Sequence, residues 1–408
     1  MTTTAPGATT CPRNKAEEIA ARVKYLPSLP AVVEKLLMVL NDFNTSAADI
    51  ERIVATDSAL AARILKLANS PLYKGVESVG TISHAVTRLG MWKLRDVAVS
   101  VATTGTLTEL ADEAIQRDYW HHALYTATCA RVLAVESDLP LPEAPFVSGL
   151  LHDVGALVLA AVAPQDFRRY LEIPPAERPS REESVFGTTH PRIGSRLLRQ
   201  WNLPRPLCDG VRMHHNEQVI TSPRDPIVSL VALADMLWKI NRDNHEPRFT
   251  AEVLFTTAQR ANVPLERIAE LLKAADGQVD QTRRDLEIAG DVSFLAPRPP
   301  ARPRRIATAT DHPATATWLE QCLGYLGHQV VPLATFVDDP SVAELVVFDP
   351  TMLSRMDCDL EAAMLARKSR LCVLETEKEP VEMLVEGKPL PSLGLFPTQD
   401  ELGKLLRR

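Results

Sequence analysis

Hydrophobic and polar residues follow a helical period over most of the chain, from Lys15 to about Gly290. In residues 30–42, PAVVEKLLMVLND, the apolar side chains recur three and four positions apart, which places them on one face of a helix. Similar helical segments follow one another, joined by short polar connections. The pattern predicts a compact bundle of many helices.

Polar residues at the ends of these segments predict where individual helices begin and end. Thr45 or Ser46 fits the N-cap of a helix that has Asp49 in its first turn. Asp57 opens the next helix, which stops before Pro71 because the residue before a proline avoids the helical region. Residues 149–159, GLLHDVGALVL, are expected to lie within one apolar helix, and residues 172–184, EIPPAERPSREES, predict a surface loop.

The period changes after residues 296–305, APRPPARPRR, which carry four prolines and four arginines and predict a linker. Short β-branched runs then alternate with helical segments, as expected for a small parallel α/β sheet. The chain is therefore expected to be mostly α-helical, with a small C-terminal α/β domain. The predicted division is a disordered tail at 1–16, a helical domain at 17–294, a linker at 295–304 and an α/β domain at 305–408.

Composition excludes several classes of protein. The net charge of −7 and the pI of about 5.9 give no general attraction for nucleic acid or for an anionic membrane. The six cysteines are scattered without a C-x-x-C pair, which indicates reduced thiols rather than a disulfide framework. No signal peptide and no uninterrupted apolar run of about 18 residues is evident, so we expect a cytoplasmic protein.

Histidines and aspartates supply the candidate chemistry, since six of the ten histidines lie between residues 121 and 215. Taken singly, each is more often a hydrogen-bonded helix residue than a ligand. His152 and Asp153 are different, because a charge inside an apolar helix needs a partner. Imidazole and carboxylate groups together suit a divalent transition metal, and two metals that share an aspartate can activate water for attack on phosphorus. The candidates are His121, His122, His152, Asp153, His190, His214, His215 and Asp235.

Several of these segments, in this order, resemble an HDOD domain over about 240 residues. The matching stretches are LPSLPAVVEKLL, DSALAARILKLANSPLY, ISHAVTRLGMWKLRDVAV, FVSGLLHDVGALVL, VFGTTHPRIGSRLLRQWNLP and MHH. HDOD domains are similar to the HD-GYP cyclic-di-GMP phosphodiesterases but are generally regarded as output or scaffolding modules of bacterial signalling. The resemblance implies an HD-type helical bundle.

The resemblance also implies a ligand set for one or two divalent transition metals, with Fe, Mn and Zn as the alternatives. His122 stands where the first HD histidine is expected, and His152 with Asp153 forms the eponymous pair. The remaining ligand positions correspond to His190, His214, His215 and Asp235.

Two departures from the active HD-GYP pattern weigh against catalysis. Ala156 replaces the lysine that follows the HD pair, and the stretch NEQVITSPRDP after His215 lacks the G-Y-P signature. We therefore expect a non-catalytic regulatory or scaffolding protein of bacterial signal transduction. The alternative is a metal-dependent phosphohydrolase acting on a cyclic or other nucleotide, and a third reading is metal or nucleotide binding without turnover. Expected partners are signalling proteins, a nucleotide second messenger or a second copy of the chain, without membrane or direct nucleic-acid binding.

The C-terminal segment resembles a degenerate response-regulator receiver domain. Asp349 ends the strand ELVVFDP, where the phosphoacceptor is expected. Asp311 is the single candidate where a pair of acidic residues normally holds Mg²⁺. Phe396 stands at the position of the usual lysine, and Glu375 or Thr376 at that of the switch hydroxyl. The resemblance implies a domain that docks or dimerises rather than one that is phosphorylated.

Overall fold

The computed structural model describes most of residues 12–288 and parts of 303–394. The undescribed positions within the first range are 24–25, 27–28, 41–44, 72, 74–76, 108–109, 141, 175–176, 223–224 and 242–250. The described positions of the second range are 303–309, 313–325, 328–332, 335–336, 343–348, 370–375, 384–385, 388–389 and 392–394.

Helices make up nearly all of the first range, which confirms the mostly helical fold. The N-terminal group is α1 (Pro12–Val23), α2 (Ala31–Leu40), α3 (Ala47–Val54), α4 (Ser58–Ala68) and α5 (Ile82–Leu107). The second group begins with α6 (Glu113–Glu136), α7 (Glu143–Leu151), α8 (Val154–Val162), α9 (Pro164–Glu172), α10 (Arg178–Phe186) and α11 (His190–Gln200). It continues with α12 (Arg205–Met213), α13 (Glu217–Ile220), α14 (Pro226–Asn241), α15 (Ala251–Arg260), a 3₁₀ turn (Leu265–Arg267) and α16 (Ile268–Asp285).

The predicted helix starts at Ser46 and Asp57 are confirmed. Ser46 caps α3 in a capping box with Asp49, in which each side chain accepts from the other residue's backbone N–H. The side chain of Asp57 accepts from the backbone N–H of Leu60 at the start of α4. Local polar chemistry thus determines these boundaries as the sequence predicts.

Two expectations for the ends of helices were wrong. Residues 172–184 were expected to form a surface loop, but α10 begins at Arg178 within them and ends at Phe186, whose side chain is fully buried. Pro179 fits the first turn of this helix, where its missing N–H would have no partner in any case. In addition, α1 begins at Pro12, within the segment expected to be a frayed tail.

The core of the helical region is organised around α6. This helix packs against α7, α14 and α16, and α11 packs against α8 and α12. Large side chains such as Tyr125 of α6 and Trp201, which follows α11, are fully buried between these helices. The polar residues that α6 and its neighbours turn inward are therefore placed in a dry interior.

Five of the described strands form a small parallel sheet, and two more form a separate antiparallel pair. They are β1 (Arg305–Ala309), β2 (Gln329–Val331), β3 (Leu345–Phe348), β4 (Arg370–Glu375), β5 (Leu384–Val385), β6 (Lys388–Pro389) and β7 (Ser392–Gly394), with helix α17 (Pro313–Tyr325) after β1. The sheet order is β2-β1-β3-β4-β7, and β5 pairs separately with β6. The expected phosphoacceptor Asp349 lies outside the described residues, as do Asp311, Thr376 and Phe396. The receiver-like assignment and the domain boundaries remain predictions.

One stretch of the helical region, Glu143–Val162, is long and apolar enough to cross a bilayer by length and composition. Its mean hydropathy is 1.7, and 83% of the stretch is buried inside the protein. A helix in a protein core meets the same criterion, so this stretch alone is weak evidence for a membrane segment.

Candidate metal centre

Five separate segments bring the predicted ligands together. They supply His122 from α6, His152 and Asp153 from the turn between α7 and α8, His190 from the start of α11, His214 and His215 from the end of α12, and Asp235 from α14. The sequence suggested that the HD pair lies within one helix. In the structure the chain turns at this point, so the pair lies between two helices. The turn directs both side chains towards the other ligands.

Two glycines allow the ligand-bearing helices to approach closely. A Cβ atom on Gly155 would lie 1.9 Å from the carbonyl oxygen of His190, so α8 and α11 could not pack as they do with any larger residue. A Cβ atom on Gly149 would lie 2.9 Å from the Cα atom of Ala127 on α6. These contacts hold the HD turn against the helices that carry His190 and His122.

Four donor atoms form the first half of the centre, which we call the Asp235 site. They are His122 Nε2, His152 Nε2, Asp153 Oδ2 and Asp235 Oδ1. His122 Nε2 lies 3.2 Å from each carboxylate oxygen and 2.9 Å from His152 Nε2. His152 Nε2 lies 3.3 Å from Asp153 Oδ2 and 3.7 Å from Asp235 Oδ1.

The second half, which we call the His190 site, contains Asp153, His190, His214 and His215. Asp153 Oδ1 lies 3.1 Å from His190 Nε2 and 3.4 Å from His214 Nε2. All four residues offer a ligand atom within 4.8 Å of the others. Asp153 thus turns one oxygen towards each site.

The spacing of these donors fits metal coordination. Ligands at about 2.0–2.2 Å from one ion are separated from one another by about 3.0–3.5 Å, in octahedral or tetrahedral geometry. Most of the separations around Asp153 fall in this interval. The arrangement therefore corresponds to two adjacent ion positions that share Asp153.

Hydrogen bonds at the outer ring nitrogens prepare three of the histidines to bind an ion. Nδ1 of His152 lies 2.7 Å from the carbonyl oxygen of Gly149, and Nδ1 of His214 lies 2.8 Å from that of Val211. A carbonyl oxygen can only accept, so each Nδ1 must carry a proton and donate it. In the neutral ring, which is the form that binds a metal, this leaves the Nε2 lone pair facing the centre.

His190 has a carboxylate in the corresponding position. Its Nδ1 lies 2.9 Å and 3.0 Å from the two oxygens of Glu182, whose side chain is 5% exposed. Sequence reasoning missed Glu182 because its segment was expected to form a loop. The run of charged residues in 177–183 gave no signal that one of them would turn inwards.

Several buried atoms of the centre lack a partner, which is the strongest sign that a further group belongs there. Among the described residues, Asp153 Oδ1, His190 Nε2, His214 Nε2 and Asp235 Oδ1 have no hydrogen bond of acceptable geometry. Buried polar atoms rarely remain unsatisfied, and all four point into the cluster. The donor set and these atoms fit divalent transition metal ions.

Without metal, the centre holds protons and carboxylate charges together. Burial lowers the pKa of His152, but the negative charge of Asp153 outweighs it and raises the pKa to about 10. Burial likewise lowers the pKa of His190, while Glu182 and then Asp153 raise it to about 9. Burial lowers the pKa of His214 to about 4. The carboxyl of Asp153 has a pKa well below its usual range, because the charges of His152 and His190 outweigh the effect of burial.

Comparison with known proteins identifies the region that carries this centre. Residues 26–217 match the HDOD domain family. This part of the chain is an HDOD domain. All of the ligands except Asp235 fall within the matched residues. Asp235 lies on α14, beyond the matched range.

The chain is also similar to individual proteins, one of which carries the same family name. An uncharacterized protein of Treponema pallidum (strain Nichols) is 30% identical over 226 residues, which are 54% of this chain and 44% of that protein. The chain thus spans less than half the length of this curated relative. The crystal structure of an HDOD domain protein of unknown function from Geobacter sulfurreducens has 25% identity and a TM-score of 0.53, covering 65% of this chain and 96% of its own.

A second solved structure carries a name that bears on chemistry. It comes from Shewanella amazonensis SB2B, and its name describes it as an inferred phosphohydrolase. It has 26% identity and a TM-score of 0.53, and the match covers 66% of this chain and 98% of that one. The HDOD fold of the helical region is therefore shared with proteins of unknown and of inferred hydrolytic function.

Proposed function

We propose that this protein acts in signal transduction and that its HDOD domain binds two divalent transition metal ions without turning over a substrate. The observation that carries the proposal is the position of Asp153. Its two oxygens face two separate sets of imidazole donors, at 3.1–3.4 Å. A single carboxylate shared in this way is typical of two-metal sites. The match of residues 26–217 to the HDOD family, whose members are generally regarded as output modules, supports the signalling role.

The residues around the centre favour binding over catalysis. A bound metal pair could supply a water of lowered pKa for attack on phosphorus. Phosphoryl chemistry also needs positive side chains that are free to hold the substrate. Ala156 offers none at the position where active relatives carry lysine. The nearby ammonium of Lys239 is paired with Asp235 at 2.6 Å.

Metal analysis of the purified full-length protein tests the proposal. We expect between one and two equivalents of Mn, Fe or Zn per chain after mild purification. Asp153→Ala removes the shared carboxylate and should reduce the content to less than about 0.2 equivalents. His84→Ala, on α5 and outside the cluster, is the matched control and should keep its metal. A wild-type protein that binds no metal under metal-replete conditions would contradict the proposal.

A second candidate function is metal-dependent phosphohydrolysis. Two observations favour it, namely the shared carboxylate and the name of the Shewanella amazonensis structure. The same metal-loaded preparation can be assayed with bis(p-nitrophenyl) phosphate and with a cyclic dinucleotide. We expect no turnover above background. Hydrolysis that disappears in Asp153→Ala but persists in His84→Ala would favour the enzyme over the regulatory module.

The C-terminal sheet supports a further part of the proposal, namely a docking or dimerising module. The strand order with the second strand at the edge, followed by the first and third, is that of flavodoxin-like folds, to which receiver domains belong. We propose that this domain connects the HDOD domain to signalling partners or to a second copy of the chain.

A further inference from the structure

Asp235 uses its two oxygens for different purposes. Oδ1 faces His122 Nε2 at 3.2 Å and belongs to the Asp235 site. Oδ2 lies 2.6 Å from the ammonium of Lys239 and 3.8 Å from His215 Nδ1. A positive charge is therefore in direct contact with one of the two carboxylates that would balance a metal ion in this site.

The position of Lys239 is determined by the helix. It follows Asp235 by four residues on α14, which places the two side chains on the same face. The side chain of Lys239 is only 11% exposed, so solvent screens its charge poorly. The ammonium is thus a built-in neighbour of the Asp235 site.

The charge of Lys239 also acts on His215 of the His190 site, but this site has a buried carboxylate behind another of its ligands. Glu182 accepts the Nδ1 proton of His190 at 2.9 Å with a carboxylate that is almost completely buried. A carboxylate behind a ligating histidine orients the ring and increases its basicity, and its loss typically reduces metal affinity about 10- to 100-fold. One site is therefore supported by an additional negative charge, and the other is opposed by a positive one.

We infer that the two sites differ in affinity: the His190 site fills first, and the Asp235 site accepts a second ion only at a free-metal concentration sufficient to overcome repulsion by Lys239. The inference rests on the metal centre proposed above. It gives the domain a one-metal and a two-metal state, whose populations follow the concentration of free metal. Since the second ion adds two charges to a buried centre, the domain becomes a sensor of the metal as well as a binder.

A cobalt titration of the metal-free, full-length protein measures the two steps. Co²⁺ in a histidine and carboxylate site absorbs visible light, and calorimetry gives the affinities independently. We expect a first equivalent to bind at least about tenfold more tightly than the second. His122 belongs only to the Asp235 site, so His122→Ala should abolish the second step and leave the first.

Substitutions of Lys239 and Glu182 test whether these two side chains cause the difference in affinity between the sites. Lys239→Met removes the charge but keeps an unbranched side chain, and it should tighten the second step about tenfold or more. The first step should tighten by a smaller factor, because the same charge also acts on His215 of the His190 site. Lys239→Arg keeps the charge and should retain the two-step curve. Glu182→Gln should weaken the first step about 10- to 100-fold. Lys66→Met, an exposed lysine elsewhere in the domain, is the control and should change neither step.

The outcomes separate this inference from the proposed function. If Co²⁺ does not bind, the metal centre itself is wrong. Two equal steps in the wild type, or an unchanged second step in a folded Lys239→Met variant, would overturn only the inference. A second step that weakens in Lys239→Met would also overturn it and would indicate instead that Lys239 orients Asp235 for the metal.

Discussion

Asp96 is a buried acid in the HDOD domain that takes no part in the metal centre. Its side chain is 1% exposed, and its Oδ1 accepts from Arg95 Nε at 2.9 Å. Its second oxygen has no hydrogen-bond partner within the described part of the chain. Burial raises the pKa of Asp96 to about 6, because the opposing charge of Arg95 does not compensate for it and Glu143 adds repulsion.

This shift predicts the direction of a pH effect on stability. A carboxyl whose pKa is higher in the folded state holds its proton more tightly there, so its contribution is present below pH 3.8 and is lost as the pH rises to about 6. Asp96→Asn does not titrate. Between pH 4 and 7, the stability of the wild type should therefore fall relative to this variant by roughly 2–3 kcal/mol.

Urea unfolding of both proteins across this pH range measures the difference. The exposed residue Asp118, on α6, provides the control, because its replacement by Asn should give a stability difference that changes little with pH. A constant difference between wild type and Asp96→Asn would show that Asp96 titrates alike in both states.

At the same scale, the sequence predicted which histidines and aspartates come together better than it predicted the residues around them. The order of histidines and aspartates and the HDOD resemblance gave all seven residues that the structure brings together. The resemblance did not give Glu182 or the role of Lys239. Glu182 acts through a contact with His190, eight residues away, and Lys239 acts through a pair with Asp235 four residues away on the same helix. A pattern of residue types does not distinguish either pair from ordinary surface charge.

At the scale of helices and strands, the predicted helix boundaries were correct where hydrogen bonds between nearby residues determine them. The caps Ser46 and Asp57 depend on hydrogen bonds within three residues, so the sequence contains all the information. The break at Gly90 within α5, with φ of 78°, and the turn at the HD pair were missed because both lie within continuous helical periodicity. Glycine tolerates the positive φ at Gly90, and close helix packing at Gly149 and Gly155 accompanies the turn at the HD pair.

The contact between α8 and α11 gives a prediction at this scale. An alanine methyl at Gly155 would overlap the His190 carbonyl, so the helices must move apart. We expect Gly155→Ala to lower the free energy of unfolding by about 1–3 kcal/mol or more and to reduce metal content, because His190 moves away from Asp153. Urea unfolding and metal analysis measure the two effects.

Gly277 in α16 provides the matched control for this substitution. Apart from the neighbouring backbone of α16, no atom of the described residues lies within 4 Å of a Cβ placed there, so Gly277→Ala should be neutral or should stabilise by about 0.5–1 kcal/mol. Metal content should stay at the wild-type value. A Gly155→Ala protein with normal stability and metal would show that the two helices can separate without disturbing the centre.

At the scale of the whole molecule, the proposed metal centre connects five segments that are distant in sequence, from His122 to Asp235. A ligand that binds only the folded state stabilises it by about 2.7 kcal/mol at a concentration 100 times its Kd. For a domain of this size we expect metal to raise the melting temperature by roughly 5–10 °C.

Calorimetry with and without a chelator measures this shift. The chelated wild type should melt at the lower temperature, and Asp153→Ala should melt at the same temperature under both conditions. His84→Ala should retain the full difference. Equal melting of the wild type with and without chelator would mean that the centre contributes nothing to holding the five segments together.

At this scale, the fold of the helical domain could be predicted from the sequence more fully than the fold of the C-terminal residues. The helical domain has several motifs in order, and the family match and solved structures confirm the HDOD fold. The C-terminal residues gave only alternating strands and helices, which many α/β folds share. The strand order narrows this set, while the positions that would define a receiver lie outside the described residues.

The turn at His152 and Asp153 also has a consequence for biosynthesis. It divides Glu143–Val162, which is otherwise apolar enough to cross a bilayer, into two short helices. An aspartate near the middle of an inserting segment costs about 2.5–3.5 kcal/mol, so this pair opposes diversion of the nascent chain into lipid. Replacing both residues by leucine would remove the ligands and, at the same time, create an unbroken hydrophobic segment that the secretion machinery could recognise.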